Sequence, residues 1–211
     1  MTNKSKDLLS SRIVAVVRKI APDKVKPLIQ ALIDGGITGI EITMDSENAT
    51  TMIRELKNIH KEKALIGAGT VLNIEQAKEA IDAGADFIVA PILDRETIEF
   101  TKSQGIIMVP GAFTPTEIYQ AHKWGADMVK VFPASALGPN FIKDVRGPLS
   151  EISLMSTGGV SLQNIESLFE AGASAVGVGG SLLDKALIQN EDWEGIRDLS
   201  ESYVNKITVS P

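Results

Sequence analysis

Two side chains in this sequence stand where their neighbours argue against them. Lys130 lies in the run DMVKVFPAS, residues 127–135, among Met128, Val129, Val131 and Phe132. Burying a lysine strips its hydration and disfavours the charged form, which moves it toward a neutral amine. A neutral amine attacks a ketone, and the Schiff base that results accepts the electrons released when an adjacent C–C bond breaks. Glu41, in the run GIEIT, is the second. A partly buried carboxylate near that lysine could carry the protons of carbinolamine formation, dehydration and enamine protonation, directly or through water. The residues alone leave other readings open: the two form a structural ion pair, or the lysine reaches out of a barrel mouth.

Two glycine pairs suggest a further site. STGGVS, residues 156–161, and GVGGSLL, residues 177–183, each close an apolar run. Paired glycines let backbone approach a bound group, and amide hydrogens at the start of a following helix favour an anion. Gly158, Gly159, Gly179, Gly180 and Ser181, with Thr157 beside them, are the candidates.

The elements that position these residues follow from a repeated phrase, a glycine and a small linker leading into an apolar run. It occurs as DGGITGIEITM, DAGADFIVAPI, KWGADMVKVFP and EAGASAVGVGG. Each reads as helix end, turn and strand. The pattern predicts strands near 13–18, 39–44, 65–70, 87–91, 106–110, 128–132, 152–156 and 175–179, separated by stretches with helical periodicity such as DKVKPLIQALIDGG and LQNIESLFEAG. The tail from about residue 192 reads as the last helix. Eight such units predict a (β/α)8 barrel formed by one domain spanning residues 1–211. An open doubly wound sheet is disfavoured, because no GxGxxG follows the first strand. Barrel chemistry sits at the C-terminal strand ends, where Arg18 closes the first strand and Thr70 the third. Alternation puts Lys130 on one face with Met128 and Phe132, and Glu41 with Thr43 and Asp45.

Composition removes other classes. A formal net charge of -6 opposes general binding of nucleic acid or anionic membrane, so an anionic ligand needs a local site. With no cysteine there is no thiolate nucleophile, disulfide or thiolate metal site. The two histidines, His60 and His122, read as solvated helix residues, and Lys143 and Arg146 as a surface face. The N-terminal MTNKSKDLLSSR lacks a signal-peptide core and no apolar run is long enough to span a bilayer, so a cytoplasmic protein is expected.

The phrases IEIT, IGAGTVL, VPGAFTPTE, VKVFPA, STGGV and GVGGSLL, in this order and spacing, resemble the bacterial 2-keto-3-deoxy-6-phosphogluconate (KDPG) aldolases that also cleave 4-hydroxy-2-oxoglutarate (KHG). The resemblance runs from about residue 12 to 187. It implies a class I aldolase on a (β/α)8 barrel, independent of metal or other cofactor, usually a homotrimer, acting on a phosphorylated keto acid. By motif it implies Lys130 as the Schiff-base residue, Glu41 as proton shuttle, Thr70 and Arg18 at the substrate carboxylate, Phe132 against the pyruvyl group, and the glycine pairs with Ser181 at the phosphate. One phrase departs. Family members with strong phosphogluconate activity carry arginine in T-L-R-T after the glutamate, where TMDS here places Asp45. The related 6-phosphogalactonate aldolases also lack that arginine and have an FGP phrase similar to LGP at 137–139. A phosphosugar isomerase or epimerase, with Glu41 as base and Lys130 as electrostatic stabiliser, and a non-catalytic phosphometabolite-binding barrel are the competing functions.

Overall fold

The computed structural model describes residues 11–61 and 63–208. Most of the N-terminal stretch read above for a signal peptide lies outside them, as do both ends of the 1–211 span. Every predicted apolar run becomes a strand, and no end differs by more than two residues. The strands are β1 (Ile13–Val17), β2 (Gly39–Thr43), β3 (Leu65–Gly69), β4 (Phe87–Val89), β5 (Ile107–Val109), β6 (Gly111–Ala112), β7 (Val129–Val131), β8 (Leu154–Thr157) and β9 (Ala175–Val178). Between and after them run α1 (Pro22–Asp34), α2 (Ala49–Ile59), α3 (Ile74–Asp82), α4 (Arg95–Ser103), α5 (Pro115–Lys123), α6 (Gly138–Arg146), α7 (Ile165–Glu170), α8 (Lys185–Gln189) and α9 (Trp193–Thr208).

All pairings are parallel, in the order β5-β4-β3-β2-β1-β9-β8-β7-β6. The two ends of that order are halves of one run interrupted at Pro110, which has no N–H to give a ladder. The Pro110 carbonyl accepts from Lys130 N–H at 2.8 Å, and Gly111 N–H donates to Ile92 at 3.1 Å, so the run is held on both sides. Nine segments thus make eight staves of a closed (β/α)8 barrel. The short helix α8 was not foreseen; Asp184 caps it by accepting from the N–H groups of Ala186 and Leu187.

Alternation splits the apolar residues into two layers. Outward-facing Ile40, Ile42 and Ile66 pack with Leu28, Ile29, Leu32 and Ile53 of the helices. Val14, Phe87, Val89, Ile107, Val109, Met128, Met155 and Ala175 fill the lumen. In α1, Val25, Leu28, Ile29 and Leu32 form the buried stripe expected at a spacing of three and four.

The repeated phrase has a physical basis. Its helix-ending glycines, Gly36, Gly84, Gly125 and Gly172, have φ of 89°, 96°, 95° and 101°, a region that side chains resist. In the two GAD copies the aspartate bridges neighbouring elements. Asp86 accepts from Lys57 Nζ at 2.5 Å and from the β3 amide of Ile66 at 3.1 Å. Asp127 accepts from Lys102 Nζ at 2.5 Å and from Met108 N–H at 2.9 Å.

Two surface expectations are corrected. His60 is buried at the C-terminus of α2, its N–H bonded to Leu56, where burial and then nearby Lys63 lower its pKa against the opposing pull of Asp34. It occupies the last turn's inner face, whereas His122 is exposed as expected. Arg146 is half-buried and donates to the carbonyls of Ser150 and Ile152, tying down the approach to β8.

Asp86 is 1 % exposed, and removing it strands the Ile66 amide and the Lys57 ammonium together. Asp86→Ala is expected to lower unfolding free energy by about 2–3 kcal/mol in urea denaturation, with kcat near wild type, because the residue lies at the strand starts away from the barrel mouth.

Candidate active site

In the ring of staves β2 and β7 are four steps apart in either direction, so inward side chains on them face each other across the lumen. Glu41 lies on the first and Lys130 on the second, one inward position beyond Met128 of the apolar plug. They are 0 % and 4 % exposed. Neither carboxyl oxygen of Glu41 has a hydrogen-bond partner, so the structural ion pair left open by the sequence is not formed. Burial raises the Glu41 pKa, and the Lys130 ammonium offsets only part of that rise. A buried carboxyl with a shifted pKa and one opposing cation is an arrangement typical of reacting sites.

Small residues make the room. A Cβ on Gly69 would lie 1.8 Å from Glu41 Oε1, so the carboxyl occupies the space above this glycine of β3. Likewise Gly67 receives the ring of Phe87, and Gly177 lies under the Thr157 hydroxyl. The Lys130 Nζ stands 4.9 Å from the centroid of the Phe132 ring, which is partly exposed at the mouth. Thr70 directly follows β3 with φ of 56°, an uncommon conformation for a β-branched residue and a strained one.

A cavity of about 500 Å³ opens beside this pair, between the ends of β1, β8 and β9. Arg18, Thr157, both glycine pairs and Ser181 line it; Lys130, Glu41, Thr70 and Phe132 do not. Thr157 connects the two regions. It points inward from the stave next to Lys130, and its buried hydroxyl has no hydrogen-bond partner. A Cβ on Gly180 would meet nothing within 4 Å, and none of Gly159, Gly180 and Ser181 spends its N–H on a described backbone carbonyl. The Ser181 hydroxyl, however, donates to the Val160 carbonyl at 2.5 Å, which leaves its backbone amide as the donor free for an anion. The sequence reading missed Lys185, which also lines the cavity. Its only signal was a cation shortly after the GGS phrase. No group of His, Cys, Asp or Glu side chains able to hold a metal occurs among the described residues, and none of their helices is long and apolar enough to cross a membrane.

A lysine and a carboxyl opposed in a barrel lumen, with a glycine-lined cavity at the strand ends, are parts that a lysine-dependent aldolase would use. A family model described as KDPG and KHG aldolase matches residues 5–199, and the chain belongs to that family; it is a carbon–carbon lyase. It is 36 % identical over 171 residues to the 2-dehydro-3-deoxy-6-phosphogalactonate aldolase of Escherichia coli, covering 81 % of this chain and 83 % of that one. It is 36 % identical over 198 residues to the 2-dehydro-3-deoxy-phosphogluconate aldolase of Haemophilus influenzae, covering 93 % and 92 %. The KDPG aldolase of Legionella pneumophila, solved with pyruvate captured as a covalent carbinolamine, superposes with a TM-score of 0.88 at 27 % identity over 96 % of this chain and 98 % of that one.

Gly69→Ala is expected to displace the Glu41 carboxyl and lower kcat by about 100-fold, with a smaller loss of stability from overpacking. Steady-state kinetics and urea titration separate the two effects. Glu41→Gln is expected to lower kcat by a similar factor yet stabilise the fold. Folding favours the protonated carboxyl, so the stability that Glu41 contributes is full below the ordinary glutamate value and is lost as pH rises through the raised one. The variant's advantage in urea should therefore be absent near about pH 3 and grow toward neutrality.

Proposed function

We propose that this chain is a class I aldolase that cleaves a 2-keto-3-deoxy-6-phospho sugar acid to pyruvate and glyceraldehyde 3-phosphate, and KHG to pyruvate and glyoxylate. The opposition of Lys130 and Glu41 in the lumen carries the reading. The Lys130 amine adds to the C2 ketone, and loss of water from the carbinolamine gives an iminium. Glu41 accepts the C4 hydroxyl proton through water, C4 becomes an aldehyde, and the C3–C4 electron pair passes into the iminium to give an enamine. Glu41 returns a proton to C3, and hydrolysis frees pyruvate and the amine. The iminium is the electron sink, so no metal or other cofactor enters this scheme.

The supporting residues fall around that centre. Arg18 and Thr70 take the substrate carboxylate, Phe132 packs on the pyruvyl group, and Thr157 lies between the reacting carbon chain and the cavity. The amides of Gly158, Gly159, Gly179, Gly180 and Ser181 hold the phosphate, with Lys185 adding charge. The family resemblance supports a cytoplasmic homotrimer of single-domain chains. Asp45 in place of arginine and the LGP phrase favour a second substrate, the 6-phosphogalactonate analogue.

Incubation with pyruvate and borohydride should leave a reduced adduct on Lys130, read by peptide mass spectrometry. Lys130→Arg should lose at least about 1000-fold in kcat, whereas an isomerase using Lys130 only for its charge would keep activity. An unmodified Lys130 together with retained turnover would exclude the Schiff-base route. Pyruvate release from the phosphogluconate, phosphogalactonate and KHG substrates, assayed side by side, assigns the preferred acid.

A further inference from the structure

Beyond the lumen, the loops after β1 and β2 are latched together around one carboxylate oxygen. Asp45 Oδ2 accepts from Arg18 Nε at 3.0 Å and Nη2 at 2.8 Å, and Lys19 Nζ lies 3.3 Å away. The Lys19 amide donates to Ser46 Oγ at 2.9 Å, and Ser46 Oγ lies 3.0 Å from Thr43 Oγ1. Thr43 is buried two residues beyond Glu41 on the same inward face. Desolvation pushes the Asp45 carboxyl up, but the neighbouring Arg18, Thr43 and Lys19 outweigh it and hold it below the usual range.

Arg18 is the residue this latch controls. Its side chain is 58 % exposed at the wall of the cavity, where an untethered arginine would sample many rotamers. Both bonds to Asp45 use the Nε and Nη2 donors, so Nη1 makes no hydrogen bond to a described residue and the outer edge of the guanidinium is left for a ligand. We propose that Asp45 is a positioning residue that presents this edge of Arg18 to the substrate carboxylate. The inference rests on the reading above that Arg18 binds that carboxylate. Asp45 also offsets the Arg18 charge, so the clamp recognises its anion by geometry more than by long-range attraction.

The competing role is an internal anion that the substrate must displace from Arg18, and the two predict opposite signs. For positioning, Asp45→Ala raises the KM for the keto acid about five-fold with kcat changed less than about two-fold, and Asp45→Asn, which keeps an acceptor oxygen, falls between. The double variant with Arg18→Ala has the KM of Arg18→Ala alone, a non-additivity that a merely structural role would not produce. A lowered or unchanged KM in both Asp45 variants, or a penalty that persists in the Arg18→Ala background, overturns the inference. An unchanged KM in Arg18→Ala itself is a different failure, which removes the carboxylate contact and the inference built on it while leaving the Lys130 trapping result as it stands.

Discussion

A carboxyl sealed in a barrel with neither oxygen hydrogen-bonded is the costliest group in this fold, and the rest of the interior accommodates it. Glu41 is fully buried and opposed only across the lumen by Lys130. A hydrophobic pair of similar volume would be more stable in such a place. The sequence gives up further packing to keep the pair, since Gly67, Gly69 and Gly177 replace the branched residues that normally fill a barrel layer. The apolar plug of Val14, Phe87, Met128 and Met155 lies beneath and withholds the polar partners that would quench the carboxyl.

The polar groups around this centre differ in exposure. Lys130 and Glu41 are buried, the Arg18–Asp45 pair is partly exposed, and the glycine pairs with Lys185 line the cavity. A chain of formal charge -6 would hold an anion only through such local groups. Backbone amides fixed by strand ends carry no net charge and attract only what comes within hydrogen-bond reach. Thr157, with an orphaned hydroxyl between the lumen and the cavity, spans the polar gap between the two regions.

What the sequence disclosed divides along a physical line. Strands β2, β4, β7 and β9 were legible because each is short, apolar and preceded by a glycine of positive φ, a constraint local to a few residues. Lys130 was legible because it contradicts its neighbours, and Glu41 for the same reason. The features that escaped depend on distances between remote segments. That Gly69 holds the space of Glu41 follows from the register of β2 and β3, and nothing in GAGT alone distinguishes this glycine from one needed for a turn. His60 reads as polar helix surface because its neighbours in sequence are charged, while its inner face is set by where α2 ends against the barrel. Arg146 reads as part of a solvated face because its acceptors, the carbonyls of Ser150 and Ile152, carry no signature of side-chain type. Lys185 belongs to a helix that is too short to leave a periodic trace.

The raised Glu41 pKa also bears on the order of events in the proposed reaction. A carboxyl held above its ordinary value tends to keep its proton, which suits an acid assisting departure of water from the carbinolamine. The next step needs a base. Iminium formation supplies the change, because the carbinolamine nitrogen is neutral whereas the protonated Schiff base is cationic, and the Coulombic pull exerted by the Lys130 ammonium returns. The carboxyl is drawn toward its ionised form when the C4 hydroxyl proton must leave. Collapse to the neutral enamine withdraws that pull and returns Glu41 toward the protonated state, from which C3 is reprotonated. One group thus serves both steps because the charge opposite it alternates, and this alternation requires that no nearer hydrogen bond fix the carboxyl in either form.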